Sequence, residues 1–591
     1  MRFTALAAPA LAACLSTAAA LADDDVMAGA WDAATAAPVL EKTLYLHLDY
    51  DAAGYTEAER AAAQQLIEAG HRLHTLYLEQ RHPQGRAAEA AVASEGTPAY
   101  LRDLFRVMKG PIATTLSNER QPFLAVSAEA KGKNVYSQGL DRATLDSYFE
   151  ANPGERDDLL HLRAVVQAAT PENRQAALDT LDRYPALDTL HPGLRLTVQT
   201  AENYFPLPYS VAYAKDIFYV YQRLHAAASL IAAEDPAFAR YLRLRARDLL
   251  ADDYDGGDAS WVTGDFKGNL NAQIGAYETY DDALYGVKSF FSLSLLQRDR
   301  AKSDELAEAI GDIQAIENAL PYDAHKQVRS RIPVGVYRVV ADFGQSRGTN
   351  TATILPNEGH LSRQYGRTIL IRANILRNEQ LFAESRKAFL AATAPAHHDD
   401  LDIDGNFYRT LWHEIGHYLG PDQTRGGGDI DAALQDAADL FEEMKSDLVS
   451  LFAAPRLAET GYHSPQRLRS IYAGGIRRVL QKNRPRRDQA YGTMQLIQWN
   501  WFLDQGLLRF EDGQLAIDYA RYPQAVSSLL EEVLAIQYVG DRDAANAFVD
   551  RWTAWDEELH GVIAERMRAA EGARFRLVTY GALGETPRSS K

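Results

Sequence analysis

The chain has 591 residues, 46% of them hydrophobic and 24% charged, and carries a net charge of −18. That length exceeds one ordinary domain, so two or more units around a large core are expected. The acidic balance argues against nucleic acid or an anionic membrane surface as the main partner, because both require a basic face.

The N-terminus reads as an export signal over residues 1–22. Met1-Arg2 is a short basic start, Phe3 to Ala13 is apolar and alanine-rich, and Ala20-Leu21-Ala22 forms a small-x-small cleavage site before Asp23-Asp24-Asp25. The apolar run is too short for a membrane span. Cys14, the only cysteine, follows Leu11-Ala12-Ala13, which resembles a bacterial lipobox. Cleavage before Cys14 leaves a lipid anchor there, whereas cleavage after Ala22 removes it. Neither route leaves an intrachain disulfide, so the fold rests on its core. The expected location is outside the cytoplasm, either periplasmic or tethered to a membrane as a lipoprotein.

Beyond Asp23 the expected fold class is α+β, predominantly α. Thr56-x-x-Glu59 is a capping box opening a helix that runs to about Gln80, ahead of Pro83. Residues 210–233 and 236–250 repeat apolar side chains at helical spacing. Val334 to Val340 and Thr368 to Ile371 are short, β-branched and strand-like. Between them, Gly344 to Gly366 reads as a loop. From about Leu381 onward the pattern is helical again. These shifts predict a mixed lobe over 23–375 with a β-sheet or small barrel, then a mostly helical lobe over 376–591.

The second lobe holds the strongest chemical signal, His413-Glu414-Ile415-Gly416-His417. Histidines at i and i+4 lie on one helix face, one turn apart, and both can aim a ring nitrogen at one ion. A glutamate directly after the first stands beside the metal without ligating it, placed to take a proton from the attacking water. Asn406 is the expected cap of this helix, and Gly420-Pro421 its stop. A second helix follows, capped by Asp429 or Asp431 and ending before Pro455, with Leu434, Phe441, Leu448 and Phe452 as its buried stripe. Beside that stripe lie Glu443 and Asp447. An acidic helix face is commonly solvated. Some thirty residues after a His-Glu-x-x-His helix, however, Glu443 is the expected third zinc ligand, and Asp447 the acceptor of a ligand histidine's outer N–H. Glu442 is assigned similar orienting work. Two histidines and a glutamate make an open catalytic site for a single Zn2+.

Three other patterns are weaker. His397-His398-Asp399-Asp400 is a loop cluster of a kind usually solvated. Asp400-x-Asp402-x-Asp404-Gly405 begins like a calcium loop but has Leu411 where a bidentate glutamate is needed. Gly426-Gly427-Gly428 lacks the Lys-Ser/Thr of a phosphate loop and reads as a connector.

Three stretches together resemble the dipeptidyl peptidase III family of zinc metallopeptidases, in its shorter bacterial branch. One is Trp412 to Pro421 with Glu442-Glu443-Met444-Lys445-Ser446-Asp447. The second is Ile274 to Asp282 with Tyr285-Gly286, and the third is Leu355-Pro356-Asn357-Glu358. They span roughly residues 210 to 510. The resemblance implies two lobes around a wide cleft, with a β-barrel in the first. It further implies that Glu278 and Asn357 hold the free amino end of a bound peptide, and that Tyr280 stabilises the oxyanion. The chain departs from the family at three points. Its histidine motif has five residues where the best-known members have six. Ile354 replaces an asparagine, and Tyr491 stands where a substrate-contacting histidine is expected.

The function these features predict is hydrolysis of short peptides by an exported zinc metallopeptidase, with Glu414 as base and Tyr280 beside the oxyanion. Whether dipeptides are its product stays open. Two alternatives remain at this level: an exported peptide-binding protein with a decayed or structural metal site, and a zinc hydrolase acting on non-peptide bonds.

Overall fold

The computed structural model describes residues 26–588, apart from Asp312, residues 329–333, 349–350 and 356–363, Arg367 and Asp488. The expected export segment and Cys14 lie outside the described residues. No helix among the described residues is long and apolar enough to cross a membrane.

Strand β1 (Thr43–Leu48) is followed by helix α1 (Glu57–Arg81). The capping box predicted for α1 is formed: Glu59 N donates to Thr56 Oγ1 and Thr56 N donates to Glu59 Oε2, each at 3.0 Å. Helices α2 (Ala214–Ile231) and α3 (Pro236–Ala251) occupy the next two predicted stretches. Proline is tolerated at the start of α3 because a first-turn N–H has no helical partner anyway.

Five strands then build the main sheet: β2 (Leu270–Ala276), β3 (Phe291–Arg298), β4 (Val334–Gly344), β5 (Ala352–Leu355) and β6 (Thr368–Arg372). Their order is β2-β3-β4-β6-β5. β4 and β6 run parallel, so the chain between them has to cross over. β5 lies within that crossover, antiparallel to β6, so the stretch 344–366 is not wholly a loop. Its β-branched run is short and hidden among Gly, Asn and Pro. Among the described residues the sheet is open, with β2 and β5 at its edges, rather than a closed barrel. Every residue of β2 is buried, which explains why no alternating pattern marks it in the sequence. Helix α1 packs on β3 and β4, and Gly70 permits the approach: a Cβ there would lie 2.3 Å from the Phe343 ring.

The C-terminal third contains helices α4 (Ile403–Gly416), α5 (Ile430–Leu434), α6 (Ala438–Glu459), α7 (Pro465–Val479) and α8 (Ala490–Asp504). The hairpin of β7 (Leu508–Glu511) and β8 (Gln514–Ile517) precedes α9 (Tyr522–Val539), and β9 (Phe575–Tyr580) lies near the C-terminus. The two hairpin-turn residues, Asp512 and Gly513, have φ of 50° and 75°, which suits the tight turn between twisted strands.

Two apolar cores define two lobes. The first gathers Leu66, Leu73, Ile217, Leu242, Leu293 and Phe343. The second gathers Phe407, Trp412, Phe441, Leu448, Trp499 and Leu529. The division at 375 is not clean. Ile313, Val336, Ile369 and Ile371 pack into the second core, while Val578 and Tyr580 belong to the first. β9 pairs in parallel with β1, from Thr43↔Phe575 to Leu48↔Tyr580, so the C-terminal strand rejoins the lobe in which the chain began.

Candidate metal centre

Helix α4 begins at Asp402, whose Oδ1 accepts from Gly405 N at 2.7 Å. Asn406, the expected cap, lies inside the helix. Leu411, Trp412 and Ile415 bury its apolar face. His417 follows the last α4 residue but keeps helical angles, φ −63° and ψ −19°, so the one-turn offset from His413 survives. The two imidazole centroids are 5.1 Å apart.

The second element is interrupted. α5 is capped by Asp429, which accepts from Ala432 N at 2.9 Å. Gln435 then adopts φ 53° and separates α5 from α6. Pro455 lies inside α6 rather than beyond its end. Leu451, Ala453, Ala454 and Leu457 are buried around it, and that packing holds the helix through the lost hydrogen bond. Leu434, Phe441 and Leu448 are fully buried; Phe452 is half-buried at the edge of the second core.

α4 and α6 cross closely enough to bring His413, His417 and Glu443 together, with one ligand atom from each lying within 4.8 Å of the others. His413 Nε2 is 3.3 Å from Glu443 Oε2, about the separation of two ligand atoms on a tetrahedral zinc with bonds of about 2.0–2.1 Å. Glu443 Oε2 is buried without a hydrogen-bond donor. Such an orphaned acceptor between two imidazoles fits a cation, and the donor set suits zinc.

An outer layer holds the three in place. Asp447 Oδ1 lies 2.7 Å from His413 Nδ1. Asp447 in turn accepts from Arg409 Nη1 at 2.9 Å and from Arg478 Nε at 3.2 Å. His417 Nδ1 lies 2.8 Å from Glu442 Oε1 and 2.9 Å from Ser446 Oγ. Lys445 Nζ donates to Glu442 Oε1 at 2.8 Å, and Gln537 Nε2 donates to Glu442 Oε2 at 3.3 Å. Tyr491 OH donates to Glu443 Oε1 at 2.9 Å. Glu443 thus offers one oxygen to the ligand cluster and the other to a phenol. Ser446, one turn after Glu442, was within reach of helical spacing. Arg478 and Gln537, from α7 and α9, left no local signal, and Tyr491, from α8, was marked only as a departure from the resembled family.

The charges are strongly coupled. Burial alone depresses His413, but Asp447, Glu443 and Glu414 outweigh it and carry its pKa up to about 9. Burial pushes the Asp447 carboxyl up, yet Arg478, His413 and Arg409 hold it well below the usual carboxylate range. Glu442 and Glu443 also lie low despite burial, the first through Lys445 and His417, the second through His413 and His417. A metal held by His413 would displace that proton, so its loading would be coupled to proton release. Glu414 is half-buried on the same helix.

The other candidate residues stand on the first lobe. Glu278 and Tyr280 follow β2, with Glu278 half-buried and Tyr280 61% exposed. Burial raises the Glu278 pKa, and Arg372 partly offsets this. Arg372 is itself buried beneath Thr353, Gln273 and Ser294. The next two residues anchor the segment: Asp281 accepts from Tyr77 OH at 3.0 Å and Gln345 Nε2 at 2.9 Å, and Asp282 accepts from Tyr136 OH at 2.9 Å. Asn357 lies outside the described residues; Ile354 is in β5. His397 and Asp400 form a structural link, in which His397 Nε2 accepts from Ile517 N at 3.0 Å.

The fold and site therefore define a two-lobed α+β protein with a metal-capable histidine–glutamate cluster in its helical lobe. No family model matches the chain. It is 26% identical over 430 residues to Nudix hydrolase 3 of Arabidopsis thaliana, a match that covers 71% of this chain and 54% of that protein. The chain thus spans about half the length of that curated relative. Two solved structures align over nearly all of it. DPP III from Caldithrix abyssi has a TM-score of 0.76 at 21% identity, covering 92% of this chain and 99% of its own. Dipeptidyl-peptidase III from Corallococcus sp. strain EGB has a TM-score of 0.71 at 22% identity, covering 94% and 98%. The chain has the two-lobed dipeptidyl peptidase III fold.

Proposed function

We propose that this protein is an exported zinc-dependent peptidase of the dipeptidyl peptidase III kind, acting on short peptides. The observation that carries the reading is the His413–His417–Glu443 cluster with Glu414 beside it, set in that fold. Bound by those three side chains, zinc supplies Lewis acidity to the scissile carbonyl and lowers the pKa of the attacking water. Glu414 takes the proton of that water and returns it to the leaving amine. Tyr280 offers a hydroxyl to the carbonyl oxygen as charge builds there. Glu278 pairs with the ammonium at the peptide's free N-terminus, and Asn357 shares that anchoring. Asp447 and Glu442 keep the two imidazoles oriented, each through the Nδ1 turned away from the ligand cluster.

Glu414→Gln is the decisive variant. It is expected to bind zinc as wild type does and to lose peptide turnover by at least about a hundredfold, the scale of general-base catalysis. Full turnover in that variant sinks the assignment. Digestion of a peptide library, run beside ester substrates, identifies the bond cleaved and whether dipeptides are released. Export, by signal cleavage or through lipidated Cys14, is tested by the mass of the mature N-terminus.

A further inference from the structure

Residues 477–487 contain six cationic side chains and no acidic one, in a chain of net charge −18. Several of the six are neutralised. Arg478 bonds Asp447, Lys482 pairs with Glu571 at 2.6 Å, and Arg487 pairs with Asp550 at 3.4 Å. Arg477 is not neutralised. It is half-buried in the last turn of α7, and its Nε is sealed from solvent with no hydrogen-bond partner. The charged groups that bear on it are Arg409, Arg478 and Arg576, all cations; with burial they pull its pKa down to about 10. The carbonyl end of α7 offers only about half a negative charge and leaves that Nε unbonded. A half-buried guanidinium among other cations is one that an anion stabilises.

Arg477 lines a cavity of about 370 Å³, together with Lys482, Asn483, Arg484, Gln481 and Gln489. No carboxylate lines it among the described residues. The N-terminus of the 15-residue α8 borders the same space. Its N-cap residue, Gln489, makes no side-chain cap, so first-turn N–H groups remain available. Gly492, in that first turn, packs against the cavity wall: a Cβ there would lie 2.9 Å from Pro485 and 3.8 Å from the Gln481 amide oxygen. Arg484 is exposed and has no ion pair among the described residues.

We infer that this cavity is an oxyanion site, in which Arg477 and the uncapped start of α8 bind a phosphate or carboxylate group. Guanidinium forks and helix N-termini both suit such groups. Two sources share this chemistry: free phosphate and the C-terminal carboxylate of a peptide. α8 also carries Tyr491, which bonds Glu443, so either occupant sits on the helix that touches the metal cluster.

The test uses the full-length zinc-loaded protein. Its thermal unfolding is followed against inorganic phosphate at constant ionic strength. Wild type is expected to show a saturable rise in Tm. Arg477→Met is expected to weaken phosphate binding at least about tenfold, the scale of a lost charged hydrogen bond. Without phosphate its Tm should equal or exceed that of wild type, since an unpaired cation has been removed. Arg484→Ala changes an exposed residue and should weaken phosphate several-fold without affecting folding. A second arm compares a peptide substrate with its C-terminal amide. If the carboxylate is the ligand, amidation raises KM in wild type but not in Arg477→Met, and phosphate competes. If free phosphate is the ligand, amidation has no effect while the Tm response remains. An Arg477→Met protein that responds to phosphate as wild type does overturns the site, as does wild type indifferent to both probes. The phosphate arm does not rest on the peptidase reading, so the two can fail separately.

Discussion

Glu443 divides its carboxylate, with Oε2 in the ligand cluster and Oε1 accepting from Tyr491. That bond fixes the carboxylate plane and leaves one oxygen available to a metal. Tyr491→Phe removes it and is expected to raise the zinc dissociation constant about tenfold, within the range seen when a ligand's hydrogen-bond partner is lost. Competition with a chromogenic chelator measures this; an unchanged constant means that Glu443 is held by other contacts. A second residue-scale expectation concerns Asp252, far from the metal in sequence and buried. Burial raises its pKa to about 7, although Ser210 N donates to it at 2.9 Å. The native state therefore holds a proton that the unfolded state releases above about pH 3.9. Stability is full below that value and falls as pH rises through about 7. Asp252→Asn should flatten the fall, read from urea midpoints at a series of pH values.

Helices α4 and α6 create the site by their closeness, and Gly416 sets it. A Cβ at Gly416 would lie 2.9 Å from the Ser446 carbonyl oxygen and 3.0 Å from its Cα. Backbone cannot step aside as a flexible side chain can. Gly416→Ala is expected to cost about 1–3 kcal/mol, the range for overpacking, and to weaken zinc by shifting His413 and His417 against Glu443. Calorimetry and zinc titration check the two effects; an unperturbed protein would mean that the helices slide freely. Much at this scale was legible: the capping box of α1, the helices that carry the candidate metal cluster, and their buried stripe. Finer boundaries were not. Asp402 and Asn406 are both competent caps, and only the turn onto Ser470, whose Oγ lies 2.7 Å from Asp402 Oδ1, selects the first. Pro455 ordinarily ends a helix, but buried neighbours on both sides carry α6 past it.

The two lobes are tied together by pairings remote in sequence. The main sheet gives Val336, Ile369 and Ile371 to the helical core, while β9 closes on β1. β9 buries Leu577, Val578 and Tyr580, each worth about 1.5–3 kcal/mol. Their sum is comparable to the whole stability of a domain. Removing residues 575–591 is therefore expected to unfold the first lobe or make the chain insoluble, judged by thermal denaturation and sedimentation. A truncated protein with the melting behaviour of the full chain would show that the strand is dispensable.

The residues of the candidate metal cluster were readable because one helical turn places i and i+4 on one face: His413 and His417 on α4, and Glu443 with its neighbour Asp447 on α6. The predominantly helical α+β class followed from the same periodicity. Tertiary structure decided what depends on elements distant in the chain. It set α4 against α6, brought Tyr491, Arg478 and Gln537 to the cluster, and returned the last strand to β1. Local spacing carries no information about which helix will cross which. The His413–His417 motif was thus written in five residues, and the pocket that completes it in five helices.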